Sequence, residues 1–254
     1  MSDIKVIFEP TSDKPYIVIY KPKGLPSAPL TKEDKENALI KTAEIYPEVY
    51  NVNGRKDIEY GLLHRLDTAT DGLLVIATTQ KSYDFILNEQ KEGRFSKFYK
   101  AKCTLNPNNK DMLDGFPPYV DTSFNKGDII NAISYFRPFG SGKKEVRPVT
   151  NNCGKAALKK IGKLKEYKTN ITILEKGTKK CIVECKIQEG YRHQVRCHLA
   201  WVGLPIEGDD LYNGEYRAID KKIAENEMKF SATKIIFEYP RGDLNSYEIA
   251  FTWT

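Results

Sequence analysis

Residues 61–74 read Gly-Leu-Leu-His-Arg-Leu-Asp-Thr-Ala-Thr-Asp-Gly-Leu-Leu. A polar block, His64-Arg65-Leu66-Asp67, stands between an apolar pair and the apolar run Gly72–Thr78. Side chains on a loop anchored by rigid structure are placed as a reaction centre requires. A carboxylate held there could serve as nucleophile or base. On residue types alone, the segment reads equally as a turn in which Asp67 caps and His64 and Arg65 face solvent.

Two further groups invite a metal reading. Cys181, Cys185, His193, Cys197 and His198 lie close in sequence. They lack paired Cys-x-x-Cys elements, and buried thiols explain the cysteines better. Glu207, Asp209 and Asp210 could hold a cation, but they flank Gly208 and are expected to order its turn.

Charge is concentrated rather than spread. The chain of 254 residues carries +6, yet between Arg137 and Lys180 thirteen Lys and Arg outnumber Glu145, Glu166 and Glu175 by ten. Such a segment can neutralise phosphates and release counterions, so nucleic acid is the expected partner. The blander reading is a solvated face. No run approaches the roughly 18 apolar residues of a membrane span. The N-terminus lacks a signal-peptide pattern, and five cysteines form an odd, sparse set. Reduced thiols in a cytoplasmic protein are expected.

The elements that must position these residues follow from periodicity. Tyr16–Tyr20, Gly72–Thr78, Lys97–Thr104, Ile129–Phe136, Asn170–Leu174, Lys180–Ile187, Lys234–Tyr239 and Tyr247–Trp253 read as strands. Cys181, Val183, Cys185 and Ile187 should share one face. Glu33–Glu44, Ser82–Lys91 and His193–Val202 read as helices, the last with Val195, Leu199 and Val202 as its apolar stripe and Arg196 at that stripe's edge. Asn106–Gly127 reads as an irregular excursion. Few helices among many strands predict an α+β fold: a single mixed, mainly antiparallel sheet domain with flanking helices over residues 1–254.

The segment His64–Leu74 resembles the His-Arg-Leu-Asp-x-x-Thr-Ser-Gly-Leu-Leu signature of RluA-type RNA pseudouridine synthases, with Asp71 for Ser. Ile17–Pro26 resembles the family's opening Asn-Lys-Pro-x-Gly strand, with Tyr20 for Asn. Lys97–Ala101 is similar to Lys-x-Tyr-x-Ala, and Gly154–Ala157 to Gly-Lys-x-Ala. Gly190–Leu199 resembles Gly-Arg-Thr-His-Gln-Ile-Arg-Val-His-Leu, and Leu204–Tyr212 resembles His-Pro-Ile-x-Gly-Asp-x-Leu-Tyr. Tyr191 stands where the family has Arg, and Arg192 where Thr is usual, so a base or phosphate contact made there is moved or absent.

The resemblance implies conversion of uridine in structured RNA, ribosomal or transfer RNA, to pseudouridine. The C1′–N1 bond breaks, the uracil turns, and C1′ joins C5. It assigns Asp67 as the catalytic carboxylate. Arg196 is its expected charge partner, because an anion in an apolar pocket needs a cation. It assigns Tyr99 to stack on the uracil and assist proton transfer. Arg65 is expected to fill the gap left by the extruded base. His64, Arg192, Gln194, Lys155, Lys159 and Lys160 complete the expected RNA-binding set. No cofactor, no metal, no membrane and no obligate protein partner are implied, and a monomer is expected. About 15 residues precede the first family strand, too few for the S4 domain many relatives carry.

Two rival classes stand beside this reading. One is a non-catalytic RNA-binding protein of the same fold; the simultaneous presence of Asp67, Tyr99 and Arg196 opposes it. The other is a glycosidase or nucleosidase, opposed by the lack of a partner acid.

Overall fold

A computed structural model of the chain describes residues 3–105, 113–118, 123–217 and 227–251. It is α+β, and its strands form a mixed, mainly antiparallel sheet. The chain divides into two compact units, Met1–Phe98 with Ser231–Thr254, and Tyr99–Phe230.

In the first unit, β1 (Lys5–Phe8), β2 (Tyr16–Lys21) and β3 (Asp71–Ala77) pair antiparallel in that order. Apolar runs give β2 and β3 their buried positions, as expected for strands covered on both faces. Helix α1 covers Ala38–Ile45 and starts five residues later than its polar lead-in predicts. Asn37 sets that start: its Oδ1 accepts from Ile40 N at 3.0 Å and satisfies an orphan amide of the first turn. Helix α2 (Gln80–Lys91) is capped by Thr79 and buries Tyr83 and Ile86. They join Tyr16, Val18, Leu63, Leu73, Val75, Phe95 and Phe237 in one core. Each such side chain contributes roughly 1.5–3 kcal/mol on burial.

Strand β4 (Ser96–Thr104) leaves this unit at Phe98. In the second unit β5 (Ile129–Phe139), β6 (Glu145–Val149), β7 (Tyr167–Lys176) and β8 (Lys180–Ile187) follow, in the sheet order β4-β8-β7-β5-β6. The neighbouring pairs from β8 to β6 are antiparallel. On β8, Cys181, Val183, Cys185 and Ile187 are buried together, as their alternation predicts. A single helical turn, α3 (Lys155–Leu158), lies in the basic segment. Helix α4 covers Gln194–Trp201. It is buried on nearly every side, so Arg196 does not leave at the edge of an apolar stripe; it is interior. The core here joins Phe136, Val146, Tyr167, Cys197 and Tyr212.

Strand β9 (Phe230–Glu238) returns to the first unit. There it runs parallel to β3, with Asp71 opposite Ser231 and Gly72 opposite Ala232. Strand β10 (Leu244–Glu248) pairs antiparallel with β9. It ends earlier than the predicted 247–253 strand, whose residues 252 and 253 lie outside the described residues. So do 106–112 and 119–122 of the excursion. No helix among the described residues is long and apolar enough to cross a membrane.

Candidate active site

The Asp67 segment is built on β3. Ala77 N donates to Gly61 O at 2.8 Å and Leu63 N to Val75 O at 3.2 Å, so residues 61–63 run beside the far end of β3. The chain then turns back to enter the same strand. Thr70 N donates to Asp67 O at 3.0 Å and closes the turn. Leu66 is buried, Arg65 is exposed, and Asp67 is half-buried. This alternation puts a carboxylate at the rim of a fixed turn, where solvent can reach it.

The turn is clamped from the segment that follows β2. Ser27 Oγ donates to Leu66 O at 2.7 Å and accepts from Leu66 N at 2.9 Å. Gly24 N donates to Thr68 O at 2.9 Å. The Lys21 ammonium, fully buried, donates to Pro22 O at 2.9 Å, Leu25 O at 2.7 Å and Thr68 O at 3.3 Å. Residues on both sides of Asp67 are thus held by polar bonds. Lys21 is a positioning group that residue types alone left without a role, although it belongs to the Lys-Pro-x-Gly block.

His64 is buried, and its Nε2 accepts from Val75 N at 3.3 Å. Burial first, then Lys97 and Arg55, hold its pKa well below the ordinary value, so the ring is neutral. Its ring also packs edge-on against Phe95. Arg65 reaches Glu59 Oε1 at 3.4 Å from a half-exposed position.

In the second unit, Tyr99 is buried and its ring stacks on Phe230, centroids 5.2 Å apart. Alternation along β4 puts Tyr99, Ala101 and Cys103 on one buried face. Arg196 is gripped by Asp209: Nε donates to Oδ2 at 2.8 Å and Nη2 to Oδ1 at 2.7 Å. Asp210 lies 3.6 Å away, and the guanidinium stacks over Tyr212. Asp209 Oδ1 also accepts from Leu211 N and Tyr212 N, which orders the turn after Gly208. Asp209, in the Gly-Asp part of the 204–212 motif, thus holds Arg196 at two atoms.

His193 begins α4 in the left-handed region, at φ +56°, which a side-chain residue adopts at a cost. Its Nδ1 lies 3.0 Å from Tyr212 Oη, which accepts from Val146 N at 2.9 Å. Gln194 is buried. Its Oε1 accepts from Tyr191 N at 2.9 Å, and its Nε2 donates to Lys168 O at 3.0 Å. Tyr191, in the place of the family's Arg, lies flat on Phe136 with centroids 4.9 Å apart. Arg192 is exposed and donates to Lys143 O and Glu145 O. Lys155, Lys159 and Lys160 are exposed on and after α3. Of the thirteen basic residues from 137 to 180, eleven are exposed, Arg137 is half-buried and Arg147 is fully buried. Its guanidinium meets Glu145 at 2.7 Å and lies over the rings of Phe116 and Phe139.

Part of the excursion docks there. Arg147 Nε donates to Asp114 O at 2.7 Å, Arg137 to Gly115 O at 3.1 Å, and Trp201 Nε1 to Pro117 O at 2.9 Å. Two arginines and an indole thus bind these carbonyls where no sheet ladder does.

Comparison with known proteins accords with this geometry. Residues 15–201 match the RNA pseudouridylate synthase family model. The chain is 23% identical over 240 residues to the RNA pseudouridine synthase YlyB of Bacillus subtilis, covering 94% of this chain and 66% of that protein. It is 26% identical over 216 residues to ribosomal large subunit pseudouridine synthase D of Pseudomonas aeruginosa, covering 85% of this chain and 55% of that one. The chain thus spans less than two thirds of the length of these relatives. In fold it is similar to human RNA pseudouridylate synthase domain containing 4, with a TM-score of 0.61 at 18% identity, covering 98% of this chain and 88% of that one. The clamped His-Arg-Leu-Asp turn and the motif order from β2 to α4 are then features of a common inheritance: the chain belongs to the RNA pseudouridylate synthase family.

Proposed function

We propose that this protein isomerises uridine to pseudouridine in structured RNA, with Asp67 as the reacting carboxylate. The observation that carries the reading is the Asp67 turn, which is clamped on both sides and leaves its carboxylate half-exposed. Breaking the C1′–N1 bond builds positive charge at the ribose, and a fixed carboxylate is suited to meet it as nucleophile or base. The family motifs assign Tyr99 to the uracil ring and Arg65 to the gap left by extrusion. The bidentate pair supports a positioning role for Arg196: its contact with Asp209 ties α4 to the Gly208 turn.

Ribosomal RNA is the favoured substrate, supported by the names of the relatives in Pseudomonas aeruginosa and Neisseria meningitidis. The exposed lysines on and around α3 supply the phosphate-binding surface. The protein's five free thiols suit a reducing, cytoplasmic compartment.

The test is direct. Bulk cellular RNA treated with the protein should gain pseudouridine. Asp67→Asn should abolish the gain while leaving folding and RNA affinity close to wild type. Residual activity within tenfold of wild type would remove Asp67 from this role.

A further inference from the structure

Three rings are stacked in the second unit. Phe136 carries His198 and Tyr191 as stacked neighbours, each with its centroid 4.9 Å away. Phe136 and His198 are fully buried, whereas Tyr191 is half-buried, so the stack ends at the surface on the Tyr191 ring. Tyr167 packs on Tyr191 at 5.1 Å and on Phe136 at 5.8 Å. Phe136 and Tyr167 thus lie together, and both reach Tyr191 from the same side.

The ring is fixed by its surroundings. Tyr191 N donates to Gln194 Oε1 at 2.9 Å, and Tyr191 O accepts from Gln194 N at 3.1 Å. Gly162 N donates to Phe136 O at 3.0 Å. A Cβ at position 162 would come within 2.9 Å of Tyr191 Oη, so the loop 159–165 runs against the phenol because this residue has no side chain. Lys165 Nζ meets Glu189 Oε1 at 2.6 Å and ties the same loop to the chain entering Tyr191. The loop presents Lys159, Lys160 and Lys163 to solvent, and Leu164 is 88% exposed between two lysines. Lysines alone would serve a solvated face. A fixed ring and an open leucine beside them serve a ligand that is both flat and anionic.

A nucleobase has a flat π face, and only an unpaired base has that face open. Stacking it on a ring already held in place costs little ordering. Ammonium groups nearby suit the phosphates on either side. We propose that Tyr191 is a stacking platform for an unpaired base of the bound RNA, with the lysines of the 159–165 loop on the adjoining phosphates. This rests on RNA being the substrate, and it needs neither the target uridine nor Asp67. Where the family motif has the charge of Arg, this chain offers a ring.

Fluorescein-labelled oligocytidine is the probe, because it holds no uridine to isomerise. Its Kd is read by anisotropy over a range of salt for wild type and for Tyr191→Leu, which keeps an apolar side chain against Phe136 and removes the ring. The Kd should rise about 5- to 150-fold, the loss of one stacked base. The salt slope should stay unchanged, because the phenol releases no counterion. Tyr191→Phe and Tyr191→Trp should bind as wild type does. A Tyr191→Leu protein with the wild-type Kd overturns the proposal and leaves the ring as an edge of the core. A rise in Kd with a flatter slope traces to displaced lysines and overturns it too, as does a wild type that does not bind oligocytidine. If Tyr191→Leu fails to fold, the wild type itself is tested. Irradiated with oligocytidine containing 5-iodocytidine, it should crosslink through Tyr191, and crosslinks that miss Tyr191 overturn the proposal. The isomerase reading is judged separately, by pseudouridine in bulk RNA. Its failure beside a Tyr191-dependent Kd would leave the platform standing.

Discussion

Replacing Arg196 by Met removes a guanidinium that both oxygens of a fully buried Asp209 hold. Asp209 would keep two backbone donors and lose its cation. Breaking one side of a buried pair commonly costs about 3–5 kcal/mol. Arg196→Met is therefore expected to lower the stability to denaturant by that amount and to reduce kcat as the Gly208 turn loosens. A variant as stable as wild type would show that Asp209 is satisfied without it. Residue types in the 190–212 stretch announced Arg196 but not its bond to Asp209. Asp209 and Asp210 are adjacent in sequence, and only the turn after Gly208 shows that it is Asp209 that grips Arg196 at two atoms. Lys21 escaped for a similar reason: nothing in Lys-Pro-x-Gly says that the lysine points inward to three carbonyls.

The buried histidines give a second test at this scale. His198 is held neutral by burial, with its pKa lowered to about 3, between Ser134 Oγ at 3.0 Å and Thr169 Oγ1 at 2.8 Å. Unfolded, it titrates near the ordinary 6.5. Its folded pKa is depressed, so the unfolded chain binds the extra proton as pH falls below that value. Stability should drop by about 1.4 kcal/mol per pH unit below roughly 6.5 from this group alone. Denaturant titrations from pH 7 to 5 check the slope, and His198→Gln should reduce it.

At the scale of elements, Gly72 is where β3 and β9 come together. Its φ is +129°, and a Cβ there would run into the backbone of Ala232. The register Gly72 opposite Ala232 belongs to the parallel contact beside Asp71, at the exit of the Asp67 turn. Gly72→Ala is expected to cost about 1–3 kcal/mol in strain and to reduce activity more than a core substitution of equal cost. Measuring both quantities beside Ile86→Val separates the two effects. The central strands were legible because uninterrupted apolar runs and clean alternation leave little choice. Strand β8 was read to the residue. Strand β6 was missed because Glu-Val-Arg-Pro-Val carries charge and a proline, yet Arg147 is buried under Phe116 and Phe139. Strand β1 was missed because it is a short, partly exposed edge. The start of α1 was misplaced because polar Glu33–Glu36 looks helical by composition, while Asn37 decides where the backbone turns in.

Across the whole molecule the uneven charge matters most. The lysines at 155, 159, 160, 163, 165 and 168 are all exposed, and Lys165 is paired with Glu189. Replacing Lys159, Lys160 and Lys163 with Ala should weaken RNA binding and flatten its dependence on salt. Each phosphate that is no longer neutralised should reduce the log–log slope by about 0.7–0.9. An unchanged slope would make this surface a solvated face only. The segment was legible as basic because charge is additive along a chain. Its one buried member was not, because aromatic partners come from positions 116 and 139, and the first of these is distant in sequence from Arg147.

The bond from Trp201 to Pro117 also gives the protein an optical reporter. Trp201 and Trp253 are the chain's two tryptophans, and Trp253 lies outside the described residues. The Trp201 indole is buried, tilted against the His198 ring at 6.0 Å, with its N–H spent on the carbonyl of the 113–118 segment. In a Trp253→Phe protein, tryptophan emission would come from that indole alone. A blue emission maximum would mark the segment seated. A shift to the red would report its release, with no label attached to the chain.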